Sequence, residues 1–160
     1  MSAQFGIWYF DGRPVPEEHV DRGRSALAPY GPDTDEKYSG EGITILYRAF
    51  RTTKESYFEV QPHTSSNGDV VTWDGRLDNR KQLIEQLNGR VTVESTDVAV
   101  VAAAYGQWGG KCLAMLMGDW ALSIWKPKQR VLILAKDPVG TRHLYYSIEP
   151  DSVTWSTVLV

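Results

Sequence analysis

With 160 residues, 42% of them apolar, six Trp and eight Tyr, the chain has enough material for one hydrophobic core and falls outside the compositions of disordered proteins. Seventeen Lys and Arg against twenty Asp and Glu leave a net charge of −3, and with no basic run this excludes an electrostatic footprint for nucleic acid. The single cysteine, Cys112, excludes an intrachain disulfide framework and a Cys-rich zinc site; with no basic leader and no apolar run of about eighteen residues, a cytoplasmic rather than secreted or membrane-spanning protein is expected.

In chain order, residues 4–10 predict a strand closed by an Asp11-Gly12-Arg13-Pro14 turn, and residues 16–28 a weakly amphipathic surface helix anchored by Val20 and Leu27 and ended by Pro29. Residues 30–41 read as loop. Residues 43–50 and 56–60 read as strands joined by a polar turn. Val70-Val71-Thr72-Trp73 is a β-branched and aromatic strand. Asp74-Gly75 then reads as a turn whose glycine tolerates positive φ, and Asp78 or Asn79 can cap a helix bearing Leu83, Ile84 and Leu87. A turn of that kind exposes backbone N–H groups that can hold an oxyanion, though the pattern equally suits an ordinary strand-to-helix corner.

Ser95-Thr96-Asp97 starts a helix on which Val98, Val101, Ala102 and Tyr105 share a face, with Gly106 and Gly109-Gly110 as stops. Residues 111–117 suit a further short helix. Residues 118–125 and 131–135 read as a hairpin whose arms, apolar almost without alternation, are expected to be buried on both faces. Residues 144–147 and 152–155 add two short strands. Strands, helices, then strands with hairpin-length links predict an α+β fold with antiparallel sheets. The apolar end Ser156-Thr157-Val158-Leu159-Val160 suggests a chain that continues in its natural context.

Three stretches together resemble the class II glutamine amidotransferase domain at the front of asparagine synthetases: the N-terminal strand from Ser2 to Ile7, Asp74-Gly75-Arg76-Leu77-Asp78-Asn79, and Gly118-Asp119-Trp120-Ala121 through Asp137-Pro138-Val139-Gly140-Thr141-Arg142-His143-Leu144-Tyr145-Tyr146. Tyr30-Gly31-Pro32-Asp33, Gln61-Pro62 and Ser95-Thr96-Asp97 fall where that family has matching short motifs. The resemblance spans the whole chain. It implies a single domain over residues 1–160 with the N-terminal-nucleophile fold, a four-layer αββα sandwich of two stacked antiparallel sheets.

It also implies site positions. In active members a cysteine follows the initiator Met, and its thiol attacks while its own amine, with a near-neutral pKa, acts as base. Here that position is Ser2. Where active members have Asn-Gly-Glu, with Asn and the Gly N–H on the oxyanion and Glu on the substrate's ammonium, this chain has Asp74-Gly75-Arg76. The strand arginine that holds the glutamine carboxylate is bracketed by Arg48 and Arg51, with Phe50 at the direct match; on a strand the two arginines would face opposite sides. Asp97 matches an acid that contacts the substrate's amine, and equally suits a first-turn acid stabilising its helix.

These departures predict a degenerate pocket without glutaminase activity, acting as scaffold or partner surface beside a C-terminal synthetase domain in cis. ATP and magnesium are expected only in that domain, since the Ser-Gly-Gly-x-Asp-Ser loop is absent from this sequence, and no cofactor or metal is expected here. A working hydrolase with Ser2 as nucleophile and a stand-alone binding module are the alternatives. A glutamine-like or peptide ligand and a homodimer stay open.

Overall fold

Antiparallel pairing builds two sheets from nine strands in the computed structural model, which describes residues 2–159. The strands are β1 (Ala3–Tyr9), β2 (Glu36–Gly40), β3 (Ile43–Arg48), β4 (His63–Thr64), β5 (Val70–Gly75), β6 (Trp120–Lys126), β7 (Val131–Lys136), β8 (Tyr145–Ile148) and β9 (Ser152–Ser156). One sheet has the order β2-β3-β1-β9-β8 and the other β4-β5-β6-β7. The helices are α1 (Glu17–Leu27), α2 (Arg80–Gln86) and α3 (Asp97–Trp108). The expected α+β class with antiparallel sheets stands. No described helix is long and apolar enough to cross a membrane.

The chain divides into two compact units, one formed by residues up to Arg51 together with those from His143, the other by Thr52–Arg142. In the first unit β1 is central, flanked by β3 and β9. Its core gathers Ala3, Phe5, Ile7 and Tyr9 of β1 with Val20 and Leu27 of α1 and Leu46 of β3. One glycine permits this packing. A Cβ on Gly23 would sit 2.6 Å from the Phe5 ring, so α1 lies directly on β1 only because that position is bare. In the second unit α2 and α3 pack on one face of the sheet, and Trp73 stacks on Trp120 at 5.6 Å within a core that includes Leu83, Val98, Val101 and Leu122.

Five local expectations are corrected. Residues 56–60 are not a strand: Glu55–Phe58 forms a 3₁₀ turn, because Thr53 and Ser56 exchange side-chain bonds with each other's backbone N–H and coil the segment. β2 lies inside the stretch read as loop, a mostly exposed edge strand held by β3. β7 is likewise an edge strand, only half-buried, so the expectation of two covered faces holds for β6 and fails for β7. Gly106 does not stop α3, which runs to Trp108 before Gly109 turns out at φ 57°.

The fifth correction concerns Asp74-Gly75, which ends β5 rather than forming a turn, and Gly75 does not have positive φ. Glycine is required there by proximity: a Cβ would meet the Asp119 carbonyl oxygen at 2.5 Å and Trp120 Cβ at 2.6 Å on β6. The chain turns only afterwards, and Asn79, at the start of α2, spends its side chain on Met115 and Met117 backbone groups rather than on a cap.

Candidate active site

Ser2, Arg48 and Arg51 belong to the first unit. Ser2 immediately precedes β1, and its hydroxyl oxygen accepts a hydrogen bond from the Phe50 N–H at 3.1 Å. Met1, whose removal would free the Ser2 amine, lies outside the described residues. Arg48 closes β3, and Asp35 accepts from its Nη2 at 3.0 Å while also pairing with Arg24 of α1. Arg51 lies beyond the strand, so strand alternation does not set its direction. Its backbone N–H donates to the Asp33 carboxylate at 2.7 Å, and the Ala49 N–H donates to Thr34 Oγ1 at 3.1 Å. The run from Gly31 to Asp35 thus clamps the chain leaving β3. Only glycine fits at its start, since a Cβ on Gly31 would stand 2.4 Å from the Arg48 carbonyl oxygen.

Asp74, Gly75, Arg76 and Asp97 belong to the second unit. The Arg76 N–H donates to the Asp119 carbonyl at 2.9 Å. Because antiparallel ladders alternate, Asp74 then shares the hydrogen-bonded register with β6, while Trp73 and Gly75 turn their N–H and C=O groups away from it. Trp73 shows the consequence. Its N–H donates to Gln61 Oε1 at 2.6 Å and its carbonyl accepts from Gln61 Nε2 at 2.9 Å, so one side-chain amide stands in for a neighbouring strand. The Gly75 N–H points to the same side, one step further along.

Asp74 is only 3% exposed. Arg142 Nη1 lies 3.8 Å from Asp74 Oδ1. Arg76 is exposed and forks onto Asp78, with Nε 2.5 Å and Nη2 3.1 Å from its carboxylate oxygens, and Asp119 adds a weaker pairing at 3.5 Å. The hydrogen bonds from Arg76 hold the Asp78 carboxyl below its usual range. Asp97, the first residue of α3, is held by Arg80 Nη1 at 2.7 Å and accepts from the Leu77 N–H at 3.4 Å. Arg80 also donates to the Val93 and Ser95 carbonyls, fastening the loop that leads into α3. The end of β5 therefore offers one outward backbone donor beside a buried carboxylate and its guanidinium. That arrangement can hold a polar group.

Against this geometry, the sequence matches the glutamine amidotransferase domain family over residues 1–159. The chain belongs to that family. This amidotransferase domain is 23% identical over 140 residues to asparagine synthetase (glutamine-hydrolyzing) 3 of Bacillus subtilis, a match covering 85% of this chain and 23% of the relative. To a probable asparagine synthetase (glutamine-hydrolyzing) of Schizosaccharomyces pombe it is 30% identical over 127 residues, covering 76% of this chain and 22% of the relative. The domain spans about a quarter of the length of these curated relatives. Glutamine phosphoribosylpyrophosphate amidotransferase of Bacillus subtilis superposes with a TM-score of 0.70 at 21% identity, covering 97% of this chain and 41% of that one. That superposition shows the shared fold, the N-terminal-nucleophile-type α+β class expected from the sequence.

Sequence reasoning about the amidotransferase domain missed Arg142, Arg80 and Gln61 as partners of the candidate residues. A buried strand aspartate demands a cation, yet no spacing rule says which arginine supplies it. Asp137, noted only as part of a motif, is 3% exposed and accepts from the N–H groups of Trp120, Gly140, Thr141 and Arg142, which positions Arg142 beside β5.

Proposed function

We propose that this chain is the N-terminal amidotransferase-like domain of an asparagine synthetase-like, ATP-dependent amide-forming enzyme, and that it serves as scaffold or partner surface without hydrolysing glutamine. The observation that carries this reading is the buried acid at Asp74. Amide hydrolysis builds negative charge on the carbonyl oxygen, and the family resemblance puts an Asn donor where this chain has Asp74. An ionised carboxylate accepts hydrogen bonds and donates none. Loss of one oxyanion donor alone costs about 3–4 kcal/mol, or roughly 10²–10³ in rate, and the like charge adds to that. Arg142 offsets the acid's charge, but it lies against Asp74 itself.

Two further features support the proposal. Ser2 presents a hydroxyl, which is activated far less readily than a thiol and depends on removal of Met1 to free a base. Arg76 places a cation where the resemblance expects a carboxylate for the substrate's ammonium. ATP and magnesium belong to the synthetase part of such an enzyme, and no step is assigned to them within these residues.

Purified protein incubated with glutamine is expected to release no ammonia above the buffer rate, with the intact mass recording whether Met1 is present. Ammonia release that disappears in Ser2→Ala overturns the proposal and establishes Ser2 as a working nucleophile. Reading the coding sequence downstream of codon 160 decides between a synthetase partner in cis and a stand-alone module.

A further inference from the structure

The second unit contains a cavity of 620 Å³ between the turn after β4, the loop leading into α3 and one face of α3. Its volume falls in the range of small-ligand sites, roughly 300–1,000 Å³. Ala99, Ala102, Ala103 and Gly106 of α3 line one wall, a smooth apolar surface on which a Cβ at Gly106 would meet nothing within 4 Å. The opposite wall is the turn through Ser65 and Asn67, whose side chains are already bonded to each other and to Asp69, so it is preset rather than adaptable.

Charge distinguishes this cavity from a plain apolar groove. Arg90 is the only charged group in its lining, no acid lines it, and Arg90 makes no ion pair among the described residues. The remaining polar groups suit an anion. Ser95 Oγ accepts from the Thr92 N–H, which leaves its O–H to donate, and Ser66 presents a further hydroxyl. Burial holds the His63 imidazole below its usual pKa, so at neutral pH it contributes no second charge.

We infer that this cavity binds a carboxylate-terminated ligand with an aliphatic body, of the kind presented by the C-terminal residues of a peptide, with the carboxylate on Arg90 and the aliphatic part on the alanine face of α3. The site is separate from the end of β5 and does not depend on whether glutamine is hydrolysed.

The test is a ¹H–¹⁵N titration of the protein with N-acetyl-leucyl-leucine and with its C-terminal amide. Saturable shifts at the amides of Ser66, Arg90, Ala102, Ala103 and Gly106 are expected with the acid, and about tenfold weaker binding with the amide or in Arg90→Gln, because a charge-assisted contact is lost. Gly106→Leu projects a bulky side chain from the alanine face into the cavity and is expected to weaken the binding while the spectrum stays dispersed; should that variant fail to fold, the acid-against-amide comparison and Arg90→Gln still decide. Absence of saturable shifts, equal affinity for acid and amide, unchanged binding in Arg90→Gln, or unchanged binding in folded Gly106→Leu each overturns the inference.

Discussion

Asp74 and Arg142 are coupled through burial more than through contact: at 3.8 Å the pair gains little as a hydrogen bond, but removing the guanidinium leaves the acid with less compensation in a nearly closed site. Arg142→Gln is therefore expected to cost about 1–3 kcal/mol in urea unfolding, and the loss should shrink when Asp74→Asn is added, a double-mutant cycle that isolates the pair. Asp137 behaves differently. Burial pushes its carboxyl pKa up, but four backbone N–H donors outweigh that and hold it below the usual range. Its stabilising contribution is thus full above the unfolded value near about 3.9 and lost as pH falls through the folded one. Asp137→Asn should lower the unfolding midpoint at pH 7 and flatten its fall below about pH 4, measured by urea titrations across that range. Cys112 is fully buried and its thiol is pushed up to about 11, so native protein should react with an aromatic disulfide reagent only as it unfolds.

At the scale of elements, two glycines in the second unit make opposite predictions. Gly75→Ala drives a methyl into the β6 backbone and should cost roughly 1–3 kcal/mol, whereas Gly106→Ala faces open space on α3 and should stabilise by about 1 kcal/mol, both read from thermal or urea unfolding. The elements legible in the sequence were those whose apolar pattern and punctuation agree, such as α3 with Thr96 at its N-cap and the β6–β7 hairpin. β2 was illegible because Glu36-Lys37-Tyr38-Ser39-Gly40 has no apolar alternation; its strand state comes from pairing with β3. Residues 56–60 misled for the converse reason: Tyr57, Phe58 and Val60 favour strands, but the local Thr53–Ser56 bonds override them. Candidate positions could be read one by one, while their partners could not, because Asp74–Arg142, Arg80–Asp97 and Gln61–Trp73 are joined only by tertiary geometry.

Considered as a whole molecule, the first unit is assembled from both ends of the chain, with Phe5 opposite Ser156 and Gly6 beneath Trp155. Closing that loop carries a large entropic cost before any contact offsets it, so folding of this unit should be slow for the protein's size. Ending the chain at Arg142 removes β8 and β9 and bares one side of β1; the amide signals of β1 and β3 are expected to lose dispersion and exchange protection. Protection that survives the truncation would show that β1 does not need β9 beside it. The amide of Gln61 has a consequence for how molecules meet. Beyond the two residues of β4, the rim of β5 would otherwise offer bare peptide groups to any extended chain in solution, the template from which fibrils grow. Occupied by a side chain of its own protein, that rim recruits no stranger at Trp73, and Gln61→Ala should trade a monodisperse solution for one that scatters light on standing.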